Sequence, residues 1–106
     1  MKNNGIQKIY SLLGIGRRAN LIRTGDFAAL ESVKKGSSYL VICSEDASEN
    51  TQKKFKDKCN YYDVELIVIG EKEELGKAVG KELVAVVSVN DSDFADAIMN
   101  SYRKIT

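Results

Sequence analysis

Tyr39-Leu40-Val41-Ile42-Cys43-Ser44, followed at once by Glu45-Asp46-Ala47-Ser48, is the stretch whose reading decides the fold. The five apolar residues from Tyr39 to Cys43, with β-branched Val41 and Ile42 among them, read as a strand buried on both faces. The polar turn behind it puts Ser48 where a helix N-cap belongs, because a serine oxygen can accept an orphan amide of the first turn. Strand, polar turn and helix start form the unit of an α/β sandwich. Function in such folds gathers in the loops outside the strand ends.

Outward from this unit the pattern repeats. Upstream, Ile6, Ile9, Tyr10 and Leu13 recur at helical spacing and predict a first helix running to about Arg18. Asn20–Thr24 reads as a short strand ended by Gly25. A second helix starts near Asp26, an acidic residue suited to the positive end of a helix dipole. Phe27, Leu30 and Val33 or Lys34 are expected along one side of it, and Lys34-Lys35-Gly36 closes it. Downstream, a helix from Glu49 is expected to bury Thr51, Phe55, Cys59 and Tyr62. Its other face carries Lys53, Lys54, Lys56 and Lys58, which is either a solvated surface or part of a binding face. Asp63–Ile69 reads as a strand, Glu71–Glu74 leads into a short helix packing Leu75, Ala78 and Val79, and Leu83–Val89 reads as a fourth strand. Asn90 or Asp91 then caps a last helix with Phe94, Ala97, Ile98 and Tyr102 on its apolar side. Helices on both faces of a four-stranded sheet follow, in one α/β domain spanning residues 1–106.

Composition narrows the function. A chain that is 43% hydrophobic and 29% charged is ordinary for a globular protein, and no apolar run approaches the roughly 20 residues of a membrane span. No apolar signal core follows Met1–Gly5, so a cytoplasmic protein is expected. The two cysteines lack metal-ligand spacing and read as reduced core thiols, with a disulfide as the alternative. The formal charge of +1 hides an asymmetry: residues 1–60 hold 11 Lys and Arg against 6 Asp and Glu, residues 61–106 hold 5 against 9. A basic half points to a polyanionic partner if folding gathers it on one face, and is otherwise solvated surface.

Catalytic chemistry finds little support. The absence of histidine removes the commonest acid–base group near neutral pH and the commonest zinc ligand. Gly14-Ile15-Gly16 follows a helical pattern, not a strand, so it reads as close packing or helix termination. Gly76-Lys77 and Gly80-Lys81 lack the gap and hydroxyl of a phosphate loop. Glu45-Asp46 could hold a metal or a raised-pKa acid, but carboxylates in such a turn more simply accept backbone amides. No enzyme activity and no cofactor are expected.

Several strings then align with a known family: Leu12-Leu13-Gly14, Arg17-Arg18-Ala19, Arg23-Thr24-Gly25, Leu40-Val41-Ile42 with Glu45–Thr51, Asp57-Lys58-Cys59-Asn60-Tyr61-Tyr62, and Glu74–Lys81. In this order the chain resembles the ribosomal protein L7Ae/L30e family of kink-turn RNA-binding proteins, and closely its bacterial YlxQ-like branch. The resemblance implies a three-layer α/β/α sandwich on a four-stranded mixed sheet, usually monomeric, that binds structured RNA, ribosomal RNA included, without catalysis. It implies RNA contacts from the short basic strand, here Arg23, and from the start of the second helix. There the family shows Gly, a small or polar residue, Asn, Glu and, three positions later, Lys. The run here is Gly25-Asp26-Phe27-Ala28, with Glu31 at the lysine position. A third contact region is the loop Ile69-Gly70-Glu71-Lys72. Helix amides can take a phosphate and Asn and Lys side chains can reach guanine edges, whereas Phe27 and Ala28 cannot make those bonds. Two function classes stay open. One is an RNA-binding protein of the translation apparatus, on the ribosome or near it, contacting RNA through Arg17, Arg18, Arg23, Lys34 and Lys35. The other is a protein-interaction module on the same scaffold.

Overall fold

The computed structural model describes residues 4–105. In chain order the elements are α1 (Asn4–Arg18), β1 (Ile22–Thr24), α2 (Asp26–Lys35), β2 (Leu40–Cys43), α3 (Glu49–Tyr62), β3 (Glu65–Val68), α4 (Lys72–Ala78), β4 (Val86–Val89) and α5 (Ser92–Ile105). The sheet order is β1-β4-β2-β3, with β4 antiparallel to both its neighbours and β2 parallel to β3. This is the expected mixed four-stranded sheet. Because side chains alternate along a strand, β2 feeds two cores. Leu40 and Ile42 face α1, α4 and α5 with Ile9, Leu13, Leu75 and Ile98, while Val41 and Cys43 face α2 and α3 with Ala29, Val33, Phe55 and Cys59.

The strand edges are shorter than expected, for local reasons. Asn20 takes a left-handed conformation (φ 61°) as the chain turns off α1, and Leu21 N–H donates back to the Gly16 carbonyl at 2.8 Å, so β1 begins only at Ile22. Tyr39 lies before β2 and is exposed, which corrects its expected burial. Leu83 and Val84 lie outside β4, and Val84 N–H donates to the Lys72 carbonyl at 3.0 Å. Buried Ser88 within β4 is satisfied by Ser38, 2.8 Å away, and Asn90 links the same group to Ser32 at 3.1 Å.

The helix ends follow the side chains present. Ser48 accepts Thr51 N–H at 3.1 Å, and Asp91 accepts Phe94 N–H at 2.9 Å, so Asp91 rather than Asn90 caps α5. The glycines of Gly14-Ile15-Gly16 are interior to α1 and serve close packing. A methyl group at Gly16 would lie 2.6 Å from the Phe94 ring. One further residue expected in the core is not there. The apolar stripe of α3 ends at Cys59, leaving Tyr62 38% exposed beside Tyr61. On α2 the buried residues are Ala29, Ser32 and Val33, and Phe27 is 81% exposed. Cys43 and Cys59 are free, buried thiols, and burial pushes Cys59 up to about 11.

Candidate nucleic-acid interface

β1 is an edge strand, and along its unpaired side runs an open groove of about 560 Å³ lined by Arg17, Asn20, Ile22, Arg23, Thr24, Ala28 and Lys81. Among the described residues, three cations and no carboxylate line it. Their placement follows from the local fold. Arg17 sits in the last turn of α1, where a cation complements the helix dipole. Its guanidinium lies over Gly80: a methyl group there would come within 3.3 Å of a guanidinium nitrogen, and Gly80 already has φ +77°. Lys81 follows directly. In β1, Ile22 points into the core while Arg23 points out, as alternation requires.

The start of α2 borders this groove. Gly25 is its N-cap with φ 98°, and Gly25 N–H donates to the Val86 carbonyl at 2.8 Å. A Cβ at Gly25 would meet nothing within 4 Å, so the positive φ, not space, demands glycine. Asp26 occupies the first turn, accepts the Thr51 hydroxyl at 3.4 Å and pairs with Lys54 at 3.8 Å. On the outer side of the helix, Phe27, Leu30, Glu31 and Lys34 line a second depression of about 250 Å³. Glu31 lies 4.0 Å from the Arg23 guanidinium and 3.8 Å from the Lys35 ammonium. Arg23, Lys34 and Lys35 therefore share the outer face of α2. Arg18 does not line the groove; its guanidinium lies 3.8 Å from where a Gly14 methyl would stand.

The loop Ile69-Gly70-Glu71-Lys72 stands elsewhere. The Ile69 side chain is buried, and Gly70 (φ +80°) is packed so closely that a methyl group would lie 2.8 Å from the Tyr10 hydroxyl. Gly70 and Glu71, with Ile6, Gln7, Tyr10, Glu45 and Glu74, line a depression of about 420 Å³. Three carboxylates face it. The Tyr10 hydroxyl has its pKa raised, first by burial and also by those acids. Lys72 N–H donates to Asp46 Oδ1 at 2.9 Å, which holds the Asp46 carboxyl below the usual carboxylate range. Asp46 thus accepts a backbone amide, as the turn reading expected, though the amide comes from the start of α4.

Of the expected contact residues, Arg17, Arg23 and Ala28 meet in the groove beside Gly25 and Asp26. Phe27, Glu31, Lys34 and Lys35 lie next to it, while Gly70 and Glu71 open on the acidic depression. The sequence reading missed Asn20, Ile22, Thr24 and Lys81 as lining residues. Lys81 was visible in a failed phosphate-loop match and at the end of the family-like string Glu74–Lys81, but its place depends on the tight turn after α4.

Comparison with known proteins agrees with this architecture. Residues 7–98 match the model of the Ribosomal protein L7Ae/L30e/S12e/Gadd45 family. Two relatives are each named RNA-binding protein YlxQ. The one from Bacillus subtilis (strain 168) is 37% identical over 91 residues, covering 86% of this chain and 91% of the relative. The one from Enterococcus faecium is 33% identical over 95 residues, covering 90% and 91%. Among solved structures, a protein of unknown function from Bacillus halodurans C superposes with a TM-score of 0.87 at 36% identity, over 91% of this chain and 97% of that one. The Giardia lamblia 15.5kD RNA binding protein superposes with a TM-score of 0.79 at 23% identity, over 95% and 87%, a likeness of fold.

Proposed function

The chain belongs to the Ribosomal protein L7Ae/L30e/S12e/Gadd45 family, and we propose that it binds structured RNA, kink-turn-like or ribosomal, without catalysing a reaction. The proposal extends to a cytoplasmic monomer working with the ribosome or elsewhere in the translation apparatus. The observation that carries it is the convergence of Arg17, Arg23 and Lys81 on the free edge of β1, beside the start of α2, in a chain whose relatives are named RNA-binding proteins. Cations along an open groove suit phosphates, which position an RNA, while irregular RNA exposes the base edges that specify it. Lys34 and Lys35 extend the positive surface along α2. Phe27 and Ala28 supply no hydrogen bonds to guanine, so recognition here rests on the backbone more than in kink-turn binders with Asn and Glu at those places.

The test is a gel-shift or anisotropy titration of the protein against a kink-turn, a ribosomal RNA fragment and a plain duplex at several salt concentrations. Three phosphate contacts should give a log–log salt slope of about −2 to −3. Affinity that does not depend on salt, or no binding even at low salt, would overturn the reading. A second reading, a protein-interaction module, draws on Glu45, Glu71 and Glu74 around one depression, which fit a basic partner. Under that reading Glu71→Lys abolishes partner capture and leaves RNA affinity unchanged.

A further inference from the structure

We propose that the Phe27 ring is a stacking platform for one unpaired nucleobase, so that the preferred ligand is RNA carrying an extruded or single-stranded nucleotide; this rests on the RNA-binding reading above. A lone exposed phenyl is common on protein surfaces. The surroundings distinguish this one. Helix α2 meets the core through Ala29, Ser32 and Val33, so packing does not hold the ring, which is 81% exposed in the first turn. Leu30, Glu31 and Lys34, three, four and seven residues on, share its face and form with it a depression of about 250 Å³.

Charge then selects the occupant. Lys34 borders the depression, and Arg23 and Lys35 reach its Glu31 from two sides. Three cations stand against one carboxylate around this depression. An apolar protein partner would have to desolvate those cations, and lysine is depleted at the centre of protein interfaces. An RNA strand instead puts phosphates on the cations and a base on the ring. Stacking uses the π-face that every base has and tolerates any sequence. Phe27 and Ala28 could not read base edges, so stacking is the contact their chemistry permits. A regular duplex hides its base faces in its own stack, and is discriminated against for that reason.

The probes are a hairpin with a single bulged 2-aminopurine and a fully paired hairpin of equal length, measured by anisotropy at fixed salt. Wild type should bind the bulged RNA more tightly. Phe27→Ala should weaken the bulged RNA by roughly 5- to 100-fold, the usual range for loss of a base–aromatic stack, and leave the paired one unchanged. Phe27→Trp should retain affinity. Since the chain has no other tryptophan, its emission should be quenched by the bulged RNA alone. If Phe27→Ala binds the bulged RNA as wild type does, the platform is overturned and RNA binding stands. Equal losses on both RNAs would overturn the platform too, as would self-association that Phe27→Ala abolishes with RNA affinity unchanged. If wild type binds neither RNA at low salt, the RNA reading falls and the platform falls with it.

Discussion

Two depressions flank opposite ends of α1, and they differ in sign. At its C-terminal end Arg17 joins Arg23 and Lys81 around about 560 Å³; nearer its start, Tyr10 joins Glu45, Glu71 and Glu74 around about 420 Å³. A chain with a formal charge of +1 therefore presents two strongly different fields within one small domain. The net charge says nothing of this, because a ligand meets the local field, not the total. Under the proposed function, phosphates belong at the β1 edge and not at Gly70, although the family resemblance counts both regions among the RNA contacts.

The comparison breaks most readily at the cations. Arg17→Ala, Arg23→Ala and Lys81→Ala together should lower RNA affinity about 100-fold, at ~1 kcal/mol per phosphate pair in high dielectric. Affinity within threefold of wild type in a gel shift would contradict the assignment. Next in size is an effect on folding alone. Cys59→Ser puts a hydroxyl into the cluster beneath α2 and α3 and should cost about 1–2 kcal/mol in urea unfolding, with RNA affinity unchanged. A neutral result would mean the hydroxyl finds a partner there. The same thiol sets a pH effect. Its pKa is raised in the fold to about 11 from an ordinary value of 9.0, so the unfolded chain loses the proton first. Its contribution is whole below about pH 9 and is lost as pH climbs toward 11. The fall in stability over that window should be shallower in Cys59→Ala, and identical slopes would remove the thiol as a cause.

Much of this scaffold was legible from residue order. Leu40–Cys43 is buried throughout, Ser48 caps α3, and the alternation of strands and helices gives both layers. The basic flank was legible as composition, but its gathering was not. Lys81 reaches Arg17 only because the chain turns tightly between Gly76 and Glu82, where a methyl group would lie 2.5 Å from the Glu82 carbonyl. Which side of α2 meets the core was not legible, because α2 offers two faces of comparable apolarity. One carries Phe27 and Leu30, the other Ala29 and Val33, and helical periodicity cannot choose between them. Close packing chose the smaller side chains and left the large ring outside. Tyr62 was misplaced by extending the α3 stripe one turn too far, into the left-handed exit at Asp63 (φ 59°).

Smaller changes sharpen the contrast. Glu31→Lys removes the carboxylate that Arg23 and Lys35 share, and should raise kink-turn affinity about two- to fivefold at low salt, with the gain fading as salt screens it. No gain at any salt would place the RNA away from the outer face of α2. Smallest of all, Glu45→Gln with Glu74→Gln should change RNA affinity by less than about twofold, since these groups line the other depression and salt screens exposed charges. A large gain would show that the acidic depression does border the bound RNA.

The most direct measurement is an amide chemical-shift titration of the whole protein with a kink-turn RNA at physiological salt. Perturbed amides should cluster at residues 17–31 and at Gly80 and Lys81, with Gln7, Glu45, Glu71 and Glu74 unmoved. Shifts confined to the Glu45–Gly70–Glu74 side, with the β1 edge silent, would contradict the account.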